Sequence, residues 1–189
     1  CGARQGDRRA EEEEAQEAAE QAAAEEAAAQ EAAEAEAGFG STDVEDVEFS
    51  GSWGKIDEGH DGWFTDNSNG KIEVGKETTY GGSDSSNIII ELEGNSGDQS
   101  NLYKDFDTSP GQVIEISFDH SARGGYGGED SAVEVYWDGE LFDTIVPGDN
   151  FGWENHSYEV IADGDSARLE LQATDSNSLG TLLYNIKVD

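Results

Sequence analysis

Side chains able to hold an ion or a sugar fall in a few short stretches. Asp57, Glu58 and Asp61 crowd three carboxylates together. Such oxygen-rich clusters suit calcium, which takes about six to eight oxygen ligands. Thr65, Asn67, Asn69 and Gly70 partly match an EF-hand loop, but Thr65 is a poor first ligand and Lys76 stands at the twelfth position, so an EF-hand is excluded. Zinc is disfavoured because Cys1 is remote and His60, His120 and His156 share no ligand spacing. Arg123 precedes the loop Gly124-Gly125-Tyr126-Gly127-Gly128. Its guanidinium would donate paired hydrogen bonds to sugar hydroxyls or a carboxylate, with the Tyr126 ring stacking on a sugar; the competing role is a structural pair between Arg123 and a nearby acid. Trp63 and Trp153 lie among Gly and Asp and read as loop-borne sugar platforms, whereas Trp137 alternates with Val133 and Val135 and reads as core. His60 and Asp61 are adjacent, but no nucleophile motif such as GxSxG accompanies them. Carboxylates are too abundant for a pair to mark a glycosidase. The expectation is a non-catalytic protein.

The elements that would position these residues are strands. After Gly38, alternating apolar runs are separated by Gly, Asn, Asp and Ser clusters, the pattern of an all-β sandwich or barrel. Strands are predicted over 47–50, 71–74, 88–93, 102–106, 112–122, 132–137, 140–145, 156–161, 167–173 and 181–188. Asp138-Gly139 between two runs signals a type I′ hairpin. The number of strands is enough for two packed sheets. Ile90, Leu92, Phe118, Val133, Val135, Leu169, Leu171 and Ile186 are the expected core. No helix-period segment of useful length follows Gly38.

Residues 10–37 differ. They are almost wholly Ala, Glu and Gln, strong helix formers, with Gly38 and Gly40 as stop signals. A continuous helix there would reach about 40 Å at about 1.5 Å per residue. Alanine buries little area, so the reading is an Ala/Glu-rich stalk: either a solvated spacer or an Ala-faced helix packing on a partner. The whole sequence carries 44 acidic and 10 basic residues, a formal net charge of −34. Repulsion at that charge disfavours nucleic acid and anionic membrane surfaces. It also predicts a fold better suited to salty or calcium-containing surroundings, read either as a halophilic or marine surface or as functional cation sites.

Two resemblances follow. Cys1-Gly2 resembles the mature start of bacterial lipoproteins, which implies lipidation at Cys1 and anchoring by acyl chains worth about 0.8 kcal/mol per buried methylene. The series Trp63…Thr65-Asp66…Ile72-Glu73-Val74, Ile90-Glu91-Leu92-Glu93-Gly94-Asn95, Asn101-Leu102-Tyr103, Ile116 through Arg123, Val133 through Glu140 and Ser178-Leu179-Gly180…Asn185-Ile186 resembles the galactose-binding-like jelly-roll modules of bacterial surface adhesins and secreted carbohydrate-active proteins. That resemblance implies an all-β jelly-roll β-sandwich over 47–189, preceded by the anchor segment 1–9, the stalk 10–37 and a linker 38–46. It implies sugar or peptide binding, often calcium-supported, with metal ligands drawn from Asp57, Glu58, Glu73, Glu91 and Asp119 if their strands are neighbours. Arg123, Tyr126, Trp63 and Trp153 are the expected ligand contacts. Tyr184 replaces the usual Asp of the closing motif, and Lys104 replaces a usual Gln. The expected function is a non-catalytic binding module, secreted and lipid-anchored at the bacterial envelope, recognising a glycan or peptide. The alternative is a structural lipoprotein subunit meeting a protein partner in an envelope complex or filament.

Overall fold

The computed structural model describes Val47, Phe49–Leu92, Ser100–Thr174 and Gly180–Asp189. Cys1, the stalk, the linker, Glu93 to Asn95 and Ser178 and Leu179 lie outside the described residues.

Among the described residues ten strands form: β1 Trp53–Asp57, β2 Lys71–Lys76, β3 Ile88–Glu91, β4 Asn101–Asp107, β5 Val113–Ala122, β6 Val133–Trp137, β7 Glu140–Ile145, β8 Glu154–Ile161, β9 Ser166–Ala173 and β10 Thr181–Val188. They make two antiparallel sheets, one ordered β1-β2-β3-β10-β5-β8 and the other β4-β9-β6-β7. The fold is a jelly-roll β-sandwich. Period-two patterning explains it: along β5, Ile114, Ile116 and Phe118 are buried between the sheets while Val113 and Glu115 face solvent. All eight expected core residues are buried in the central cluster. His120 joins the same inner face and donates from Nε2 to the Ser131 carbonyl at 3.0 Å. Burial pushes its pKa down to about 4.

The hairpin between β6 and β7 has Asp138 at φ 51° and Gly139 at φ 80°, the two left-handed residues a type I′ turn requires. One expectation needs correction. The first described strand is β1, not 47–50; the chain turns at Gly51, φ 106°, and Val47 and Phe49 pack on the core instead. A single helical turn, α1 Glu77–Tyr80, follows β2. Four residues are too few to show a helical period in sequence.

Candidate functional site

β3 is apolar on both sides. Ile88 and Ile90 point into the sandwich, whereas Ile89 points outward and is fully buried by a second, smaller cluster with Tyr80 and Leu182. Phe151, Trp153 and Tyr184 pack against that cluster and are half-buried. Beneath α1 the buried carboxylate of Glu77 accepts from the Ser83 and Asp84 N–H groups (3.0 and 3.2 Å), Asn87 Nδ2 (2.7 Å) and Trp153 Nε1 (3.3 Å). Burial alone would raise its pKa, but these donors outweigh it and hold the carboxyl below the ordinary value. The indole of Trp153 is thereby pinned by its edge.

Beside this cluster, Glu73 on β2 lies directly opposite Glu91 on β3. Glu91 is 2% exposed and accepts from Arg123 Nη1 at 3.1 Å and from the Gly180 N–H at 3.2 Å. The Arg123 guanidinium also lies over the Tyr80 ring, 5.3 Å from its centre. Tyr80 Oη donates to Glu73 at 3.4 Å, and Lys55 Nζ approaches the same carboxyl at 3.9 Å. Burial and the facing Glu91 push Glu73 up to about 8, so it holds a proton at neutral pH and bonds to Glu91. Of the two roles open to Arg123, the structure supplies the partner acid, Glu91.

Calcium does not fit this pair. Both carboxyls are already engaged, Glu73 by Tyr80 and Lys55 and Glu91 by Arg123 and the Gly180 N–H. The other expected ligands are elsewhere. Asp57 pairs with Lys71, Glu58 donates its N–H to the Gly70 carbonyl, and Asp119 is on β5, separated from β3 by β10. Among the described residues no three His, Cys, Asp or Glu side chains gather for a metal.

Further along the same outer face a row of side chains is open to solvent. Trp153 and Tyr184 rings lie 5.7 Å apart. Tyr184 is opposite Asp119, and Asp119 is opposite Asn155. The Asp119 carboxylate accepts from Asn155 Nδ2 at 2.8 Å and Asn185 Nδ2 at 3.3 Å. Asn185 is at φ 53°, within the irregularity where β10 shifts register against β5. A non-glycine residue in the left-handed region costs about 1–3 kcal/mol, and bulges of this kind re-aim side chains. Here the bulge turns the Asn185 amide onto Asp119.

Of the expected ligand contacts, Trp153 is thus in the row. Tyr126 is 45% exposed at the tip of its glycine loop, bridged to Arg123. Trp63 is corrected: it is 2% exposed and belongs to the core. The Phe64↔Tyr103 bridge draws this segment onto β4, and Lys104 lies over the indole at 5.6 Å from its centre. Tyr184 and Asn185, noted only as part of the closing motif, and Asn155 are not among the expected ligand contacts; alternation along β8 and β10 is the available signal. Glu77 gave none, since its donors come from a loop and from Trp153.

No family model matches the chain. A multifunctional-autoprocessing repeats-in-toxin protein of Vibrio vulnificus is 34% identical over 89 residues, 46% of this chain and 2% of that protein, so the chain spans a small fraction of its relative. Similar solved structures include the xylan-binding CBM22-1 domain from Paenibacillus barcinonensis Xyn10C, with TM-score 0.47, 16% identity and coverage of 70% of this chain and 87% of that one. A family 35 carbohydrate-binding module from Clostridium thermocellum has TM-score 0.46 and 11% identity, covering 73% and 98%. The sugar-binding EclA C-terminal domain has TM-score 0.46 and 17% identity, covering 53% and 76%.

Proposed function

We propose that the domain is a non-catalytic glycan-recognition module whose ligand lies on the row Trp153, Tyr184, Asp119 and Asn155. The observation that carries the reading is the contiguity of that row: two half-buried rings run directly into a carboxylate held by two amides. Aromatic faces suit the apolar faces of a sugar ring, and a carboxylate fixed by neutral donors accepts hydroxyl hydrogen bonds without rearrangement. Glu77 holds the indole edge, so little ordering remains to be done on binding. Recognition in this proposal rests on side-chain contacts and not on a bound cation.

Isothermal titration with a panel of neutral oligosaccharides tests it. Trp153→Ala and Asp119→Asn are each expected to weaken binding about tenfold or more. Unaltered affinity in both variants, or tighter binding of peptides than of any sugar, overturns it. Presentation from a membrane through Cys1 is a separate part of the proposal, supported by sequence alone; mass spectrometry of the native N-terminus, showing or failing to show acylation, decides it.

A further inference from the structure

The four-stranded sheet carries its own row on the face turned away from the core. The Phe64↔Tyr103 bridge extends the sheet past β4. Tyr103 is opposite Glu170, Glu170 is opposite Tyr136, and Tyr136 is opposite Leu141. Five side chains therefore cross the whole sheet, spanning about 19 Å at about 4.8 Å per strand. The ends are open, with Phe64 39% and Leu141 50% exposed. Phe64 and Tyr103 stack with ring centres 5.8 Å apart. A parallel polar row follows alongside, in which Asn101 and Glu134 flank Gln172.

The carboxylates of this face are already held. Asn101 Nδ2 donates to Glu170 at 2.7 Å and to Asp66 at 3.1 Å, and Tyr136 Oη donates to Glu134 at 2.7 Å. Arg168 lies over the Tyr103 ring, 4.2 Å from its centre, and is clamped by both oxygens of Asp105 at 2.6 and 2.8 Å.

We propose that this row is a second binding face, separate from the Trp153 row, which takes a neutral linear glycan lying across the strands and makes the domain bivalent. The chemistry selects that occupant. Phe64 and Tyr103 on one side and Tyr136 and Leu141 on the other flank one fixed acceptor, Glu170, which suits a sugar chain with apolar ring faces and hydroxyl edges. Asp66, Asp105, Glu134 and Glu170 would repel an anionic glycan, and the guanidinium of Arg168 is already committed to Asp105. An apolar protein surface would have to bury Glu170 in mid-row, at the cost of desolvating a carboxylate.

The test is made on the full chain carrying Trp153→Ala, so that failure of the first face does not affect the second. Cellohexaose, xylohexaose and mannohexaose are titrated calorimetrically against hexagalacturonate and a lysine-rich decapeptide, with thermal melts as the fold control. At least one neutral hexasaccharide is expected to bind, and Tyr136→Ala to weaken it about tenfold. Phe64→Ala and Leu141→Ala change exposed residues and keep the fold. Each is expected to weaken the hexasaccharide at least about threefold and to leave the matching disaccharide unchanged. The proposal is overturned if no neutral hexasaccharide binds in the Trp153→Ala background, if these variants bind as their parent, or if the uronide or the peptide binds more tightly.

Discussion

Glu73→Gln is expected to make the protein more stable, and increasingly so as pH rises. The unfolded carboxyl releases its proton above about 4.5, whereas the native one keeps it to about 8. Stability from this group is therefore complete below pH 4.5 and is lost as pH climbs to 8. At about 1.4 kcal/mol per pH unit the ceiling on the loss is about 5 kcal/mol. Glu91 shares the proton and the carboxyl keeps some solvent contact, so about 2 kcal/mol is the expected size. Glutamine retains a donor toward Glu91 and an acceptor toward Tyr80 while removing the ionisation. Between pH 6.5 and 8 the experiment is clean, because His120 titrates below that range. Urea unfolding at pH 6.5, 7.2 and 8 should show the wild-type midpoint falling and the Glu73→Gln midpoint nearly constant, with the variant ahead by about 2 kcal/mol at pH 8. A flat wild-type profile, or a variant with the same slope, would refute the reasoning.

Acid exposes the opposite effect at His120. Its depressed pKa means that the unfolded ring is protonated first, so stability present above pH 6.5 is lost as pH falls to about 4, by up to about 3 kcal/mol; His120→Phe should flatten that limb in urea titrations. Glu77→Ala strands four donors, including Trp153 Nε1, and should cost about 2–4 kcal/mol together with a shift in tryptophan emission. Phe118→Ala, at a fully buried position, should cost about 3–5 kcal/mol in the same assay. Added sodium chloride should raise the melting temperature, since it screens a net charge of −34; a melt unaffected by salt would count against self-repulsion.

Much of the sandwich can be read along the chain, because strand patterning is local. β7 and β10 occupy the predicted ranges 140–145 and 181–188, and the Asp138-Gly139 turn follows from its two residue types. The site is less legible, because it depends on which strands become neighbours. Glu73 and Glu91 were named as partners and do face each other, but as a proton-sharing pair clamped by Arg123. Asp119 was grouped with them and is kept away by β10. Trp63 looked loop-borne because Gly and Asp surround it, yet one bridge to β4 carries its ring inside. The row through Tyr103 and Tyr136 is invisible in sequence, since its residues meet only through cross-strand register.

The placement of β10 has a consequence for synthesis. It is the final described strand in chain order, yet it lies in the interior of its sheet, bonded to β3 on one side and β5 on the other. Until it leaves the ribosome, both neighbours present unpaired backbone and the apolar faces they carry stay uncovered. A nascent chain stalled before Thr181 would thus be a sticky, unclosed half-product, and the cell must shield or hold it until β10 slots in.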